Sequence, residues 1–313
     1  MKKNFEEHWY GIHLLMRTNA EMEALVEETP RLAGMGINVL LAEMNYDFAY
    51  DSHPELRSAN AITKANVRKL VQTCRKHKVR LIPQFQCLGH QSWAETTFPL
   101  LIQYPEFDET PGQFPENKGI YCRSWCLQHP QVNPIVFDLF DELLDVFEAD
   151  ALHVGLDEVF LIGSEYCPRC KGQNTADLFA KAVNDYYAHL VTKRGVEMLM
   201  WGDRLLDGAA TGYGEWEAAL NGTHPAVDRI PKDIIQVDWH YTLLEAYPSI
   251  PFFLEKGFRV WPGGWREVEA TQALYAYAQQ FPDKRMLGHL FTTWGSVKPG
   301  SLAEWPPIKT VLG

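Results

Sequence analysis

Strand-like apolar runs and amphipathic, helix-like segments alternate eight times along this chain, and this alternation limits its fold more than any other sequence feature. Trp9 to Met16 has the pattern of a first strand, followed by helical spacing from about Ala20 to Gly34. Ile37 to Met44 is a second strand, apolar enough to be buried on both faces. Helical spacing over Thr63 to His77 puts Val67, Leu70, Val71 and Cys74 on one side, and Val79 to Phe85 is a third strand. Val132 to Glu148 predicts a helix and Ala151 to Leu156 a fourth strand; Ala176 to Arg194 predicts a helix and Glu197 to Trp201 a fifth strand. Ile234 to Trp239, Phe258 to Trp261 and Met286 to Thr293 supply strands six to eight, with a helical stretch expected between each and the next. The series predicts parallel strands joined by right-handed crossovers and closed into a (β/α)8 TIM barrel, one α/β domain over residues 1–313. Long loops are expected after the third strand (88–131) and after the fourth (159–175). The rival is an open, doubly wound sheet, but no glycine-rich phosphate turn follows the first strand to support it.

A formal net charge of −11 would repel phosphate backbones, which excludes nucleic acid as a partner. No run of 18 apolar residues occurs, so no membrane span is expected. The start, Met1 to His8, has a basic pair with no apolar region behind it; it does not read as a signal peptide, and a cytoplasmic location is expected. The ten tryptophans are many for this length. Such flat apolar faces suit the C–H faces of sugar rings, although core packing accounts for any single one equally well.

Barrel enzymes place their chemistry at the C-terminal ends of the strands. Those ends are polar or aromatic here: Glu43, Asn45 and Asp47 after the second; Gln84, Gln86 and His90 after the third; Asp157 and Glu158 after the fourth. Trp201 and Asp203, then Asp238 to Tyr241, Trp261 with Trp265, and Thr293 with Trp294 end the remaining four.

The sharpest signal is His153-Val154-Gly155-Leu156-Asp157-Glu158. Side chains alternate along a strand, so His153, Gly155 and Asp157 share a face, and both acids serve one pocket only if the strand ends there. Gly155 removes a side chain just below and is expected to leave room for a ligand. Two carboxylates this close repel, so one pKa is expected to rise, as general-acid chemistry requires. The plain alternative is a surface pair capping the next helix.

This segment resembles the His-x-Gly-x-Asp-Glu motif of family 20 glycoside hydrolases, the β-N-acetylhexosaminidases. The likeness runs in order through Thr63 to His90, ending in Leu88-Gly89-His90; through Cys126 to Glu148; through Met200-Trp201-Gly202-Asp203; and through Leu290 to Trp294. The resemblance implies that Glu158 is the general acid/base and that Asp157 holds and polarises a substrate 2-acetamido group, whose oxygen is the nucleophile. It also implies that Trp201, Trp239 and Trp294 wall the sugar. Together with the strand ends, it gives a candidate substrate site of His90, His153, Trp201, Asp203, Trp239, Tyr241, Trp261 and Trp294, a glycoside or oligosaccharide as partner, and no catalytic cofactor. The chain departs from the family pattern in several places. Tyr10 is the nearest equivalent of the first-strand arginine, Gln84 and Gln86 stand at acidic positions, Leu156 replaces a glycine, and only Tyr241 is placed to serve as the acetamide tyrosine. The other readings are a glycosidase of this fold acting on a sugar without an acetamido group, and a sugar-binding barrel without turnover.

Cys122-x3-Cys126 and Cys167-x2-Cys170 lie in the two adjacent long loops, where four thiolates are expected to meet around a structural Zn²⁺. Free thiols are the alternative, as are disulfides in an oxidising compartment. Cys74 and Cys87 fall within regular elements and read as core.

Overall fold

The computed structural model describes residues 8–313, so the reading of Met1 to His8 falls almost wholly outside the described residues. Eight parallel strands close into a barrel. In chain order they are β1 (Trp9–Leu15), β2 (Val39–Glu43), β3 (Arg80–Cys87), β4 (Ala151–Gly155), β5 (Glu197–Trp201), β6 (Ile235–Trp239), β7 (Arg259–Gly264) and β8 (Gly288–Thr292). Closure is made by β8 against β1, with Gly11 opposite Leu290. All eight expected strands are present. β7 runs to Gly264, three residues past the expected end, and this lengthening changes which side chain reaches the barrel mouth.

Helices cover the outside where the sequence carries their caps. Thr18 accepts from the Glu21 amide in a capping box, and Thr63 accepts from the Asn66 amide to start the helix Lys64–Lys76. The expected helix between β5 and β6 is reduced to a four-residue turn at Gly208–Thr211 and a 3-10 segment at His224–Arg229. Five glycines and two prolines in residues 202–231 explain this, because both residue types oppose helix interiors. No helix among the described residues is long and apolar enough to cross a membrane.

Two apolar layers hold the fold. One fills the space between strands and helices; the other fills the barrel itself with Val39, Leu41, Ile82, Leu199, Ile235, Val237 and Leu290 among others. Trp261 belongs to the second layer. Its indole packs edge-on against Trp9 with ring centroids 5.4 Å apart and donates to the Trp9 carbonyl at 3.2 Å, near the closed N-terminal end. The expectation that Trp261 contacts substrate is therefore corrected: it sits mid-strand in β7, deep inside the barrel.

Gly11 makes room for that indole, since a Cβ there would lie 2.3 Å from Trp261 Cζ2. Gly11→Ala is expected to lower unfolding stability by roughly 1–3 kcal/mol through overpacking. Urea denaturation checks this, with the midpoint falling and the slope unchanged.

Candidate active site

β4 ends at Gly155 because the backbone there turns left-handed, with φ of +69° at Gly155, 77° at Leu156 and 49° at Glu158. The turn breaks the strand's alternation and brings Asp157 and Glu158 to one cavity of about 850 Å³ at the C-terminal mouth. Gly155 serves a different purpose from the one expected. A Cβ there would sit 2.1 Å from Gln86 Oε1, so the space belongs to Gln86 and not to a ligand. Gln86 Nε2 in turn donates to Asp157 Oδ1 at 2.6 Å.

His90 joins the acids. Its Nε2 lies 3.1 Å from Glu158 Oε2 and 3.4 Å from Asp157 Oδ2, as charge contacts and not aligned hydrogen bonds. Burial disfavours a charged His90, but Asp157, Glu158 and Cys122 together raise its pKa well above the usual imidazole range. Burial likewise works against ionisation of Asp157, and the His90 charge and the Gln86 hydrogen bond outweigh it, lowering that pKa. A neighbouring carboxyl is raised: burial, opposed by Arg204 and helped by the Asp157 charge, pushes Asp203 up to about 6.

Asp203 is buried and serves the site through others. Its Oδ2 accepts from the Glu158 amide at 2.9 Å and from Arg204 Nε at 2.6 Å, and its Oδ1 accepts from Trp239 Nε1 at 3.4 Å. His153 is also fully buried; its Nδ1 accepts from the Gly155 amide at 3.0 Å, and burial keeps the ring neutral. Trp201 is fully buried beneath the mouth, its ring centroid 5.5 Å from Trp294 and 4.6 Å from His153. Asp203, His153 and Trp201 therefore support the cavity and do not line it, which corrects their expected substrate contacts. His90, Trp239, Tyr241 and Trp294 do line it. Tyr241 stacks on Trp239 and accepts from Trp294 Nε1 at 2.6 Å.

Other lining residues were not among the expected substrate contacts, although Trp265 and Glu43 were named as strand ends. Tyr10 points outward, its hydroxyl 3.2 Å from that of Tyr275, while Arg17, just beyond β1, reaches the cavity. Trp265 lies there because β7 is longer than its apolar run. Glu217 and Trp216 come from the glycine-rich segment after β5. Buried Arg204 fixes that segment by donating to the carbonyls of Glu215, Trp216 and Ala218 at 2.6, 2.8 and 2.7 Å. No periodic pattern marks these positions; only their proximity to strand ends could have flagged them. Glu43, at the end of β2, is buried at the cavity wall, bonded to His13 at 2.9 Å and Gln84 at 2.8 Å.

The four-thiol cluster is corrected as well. Cys126, Cys167 and Cys170 meet, with Glu109 as the fourth group. Cys122 lies apart, its sulfur accepting from the His90 amide at 3.3 Å. The two thiols face different neighbours: the Cys122 sulfur lies against the His90 amide and the Glu158 carbonyl, and the Cys126 sulfur against Cys167 and Cys170.

A (β/α)8 barrel with paired acids and aromatic walls at its mouth defines a class of carbohydrate-processing barrel. The model of the catalytic domain of glycosyl hydrolase family 20 matches residues 24–242, and the chain belongs to that family. A β-hexosaminidase of Akkermansia muciniphila is 26% identical over 243 residues, 73% of this chain and 46% of that relative. A lacto-N-biosidase of Bifidobacterium bifidum is 23% identical over 190 residues, 56% of this chain and 16% of that relative. This chain thus spans less than half the length of the curated relatives it matches. The fold is shared with a Flavobacterium johnsoniae chitobiase, at a TM-score of 0.71 and 18% identity, over 98% of this chain and 48% of that one.

Because the His90 charge is what lowers the Asp157 pKa most, His90→Gln removes that cause and must move the pKa upward. In protein carrying ¹³C-labelled aspartate, the Asp157 carboxyl midpoint is expected to rise. An unchanged midpoint would assign the lowering to the hydrogen bonds from Gln86 and the backbone.

Proposed function

We propose that this chain is a retaining, exo-acting β-N-acetylhexosaminidase that works by substrate-assisted catalysis. The observation that carries the reading is that Asp157 and Glu158 both approach one His90 nitrogen, at 3.4 and 3.1 Å. Two carboxylates gathered on one imidazole share a wall of the pocket. Acids that share a wall do not flank a sugar ring from opposite sides, as a protein nucleophile and its acid do. The nucleophile is then supplied by the substrate.

In this scheme Glu158, in its acid form, protonates the glycosidic oxygen as the acetamide oxygen attacks the anomeric carbon and the aglycone departs. Asp157, held ionised by His90 and Gln86, accepts the acetamide N–H and balances the charge that develops on the cyclised group. Tyr241 accepts from the indole of Trp294, which is a donor only, and its own proton turns to the acetamide oxygen from Thr292 Oγ1, 3.2 Å away, whose proton is taken by the Gly264 carbonyl. Glu158 as carboxylate next takes a proton from water, which opens the ring with net retention. Trp239, Trp265 and Trp294 offer faces to the sugar, and Arg17, Glu43, Asp47 and Glu217 offer charged partners to its hydroxyls. The hexosaminidase and lacto-N-biosidase relatives support this substrate class.

The second reading, a glycosidase for sugars lacking the acetamide, is kept open by Glu217, a carboxylate that reaches the cavity from a different element. Chromogenic substrates separate the two. Cleavage of an N-acetyl-β-glucosaminide at least about 100-fold faster than the plain glucoside is expected, given the advantage of an intramolecular nucleophile. Equal rates would favour Glu217 as nucleophile.

Glu158→Gln should lower kcat by roughly 10²–10⁴-fold on alkyl glycosides and much less on a nitrophenyl-type leaving group that needs no proton. Equal losses on both would remove Glu158 from the acid role. Asp157→Asn should weaken turnover and binding of a thiazoline mimic of the cyclised intermediate together; loss of turnover with thiazoline binding intact would deny Asp157 its contact with the acetamide.

A further inference from the structure

Away from the cavity, the loops after β3 and β4 bring together groups that the proposed chemistry does not use. Cys126 Sγ lies 3.4 Å from Cys167 Sγ and 3.5 Å from Cys170 Sγ. With a carboxylate oxygen of Glu109, all four ligand atoms fall within 4.8 Å of one another. All four residues are buried. We propose that Glu109, Cys126, Cys167 and Cys170 form a structural zinc site that clamps these two loops together. This inference does not depend on the substrate reading.

The geometry favours a metal over a disulfide. Zinc–sulfur bonds of about 2.3 Å in a tetrahedron put sulfurs about 3.8 Å apart, close to the spacing found. A disulfide needs about 2.05 Å. Cys126 is also nearly equidistant from two thiols, so pairing with either would strand the other.

The carboxylate points the same way. Glu109 Oε1 accepts from the Ser164 amide at 2.9 Å, while Oε2 is buried without a hydrogen-bond partner. No ion pair reaches Glu109 among the described residues. The thiols of Cys167 and Cys170 are what lie against it, and they are poor partners for a buried charge. A divalent cation at the centre of the group would satisfy the carboxylate and three thiolates together.

The backbone is arranged for sulfur ligation. Cys167-Pro168-Arg169-Cys170 makes a tight turn in which the Cys170 amide donates to Cys167 Sγ at 3.4 Å. Such N–H···S bonds orient a ligand and stabilise its thiolate form. Three soft sulfurs and one oxygen in a buried, four-ligand set select zinc over calcium or magnesium, which take oxygen shells. The set is closed, so the ion would have no place for a catalytic water.

What such an ion would hold follows from the chain. Glu109 and Cys126 belong to the loop that also carries His90, Trp93 and Tyr121 to the cavity, and Cys167 and Cys170 to the loop that begins at Glu158. A clamp between them removes chain entropy that would otherwise oppose ordering of both walls.

The test is metal analysis of full-length protein purified under reducing conditions without a metal-affinity tag. About one equivalent of zinc per chain is expected for wild type and for Cys122→Ser, and less than about a tenth for Cys126→Ser and Cys170→Ser. Glu109→Gln should lose zinc to a chelator faster than wild type. Should the cysteine variants fail to fold, cobalt(II) loaded into chelated wild-type protein gives an independent readout: a thiolate-to-metal charge-transfer band and d–d bands of tetrahedral intensity. Chelation should lower Tm, and zinc but not magnesium should restore it. Wild type with less than a tenth of an equivalent and no cobalt charge-transfer band would overturn the site, as would a Cys126 disulfide in protein analysed without reductant. Wild-type zinc retention in Glu109→Gln would remove Glu109 from the ligand set.

Discussion

Everything at the barrel mouth depends on how β4 stops. A strand running on through residue 158 would send Glu158 to the helix side, away from Asp157. Left-handed backbone at Gly155, Leu156 and Glu158 prevents this, and the Glu158 amide is then held by Asp203 Oδ2 at 2.9 Å. Asp203 also ties to Arg204, whose guanidinium holds the carbonyls of residues 215, 216 and 218. One buried ion pair thus sets both the backbone of the acid and the loop that carries Trp216 and Glu217. Breaking such a pair leaves an uncompensated buried charge, so the two acids and the opposite wall stand or fall together.

A second chain of contacts sets the charges. Asn45 donates to Glu43 at 2.7 Å and accepts from the Gln86 amide at 2.8 Å, and Gln86 donates to Asp157. The glutamines that stand at the family's acidic positions act here as donors. An acid at position 86 would face Asp157 as a like charge, raising its pKa and opposing the effect of His90.

The barrel was legible because burial on both faces leaves unbroken apolar runs, and eight such runs with helices between them admit few topologies. Asp157 and Glu158 were legible because the strand had to end for both to share a pocket. Trp201 and Trp261 were misplaced for a related reason: a strand's apolar run fixes its face but not its height in the barrel. Trp261 lies mid-strand and Trp265 reaches the mouth, and the difference is the three extra residues of β7. Arg17, Glu217 and Glu109 were missed because each sits in irregular chain, where position is set by partners distant in sequence. Cys122 was misassigned because spacing in a loop does not report direction; its sulfur turns to His90, whereas that of Cys126 turns to Cys167 and Cys170.

Leu156 shows how the site sustains its own strain. A leucine at φ 77° clashes with its own backbone, at a cost of roughly 1–2 kcal/mol, where the glycine of the family pattern has no such cost. Leu156 is fully buried, and burying a leucine side chain contributes about 1.5–3 kcal/mol. The two effects are of similar size, so the apolar contact can offset the strained turn. A leucine also populates left-handed backbone far less readily than glycine in the unfolded chain. Its turn therefore depends on the packed core beneath it, and the placement of Asp157 and Glu158 is coupled to the packing of the whole barrel more tightly than a glycine hinge would allow.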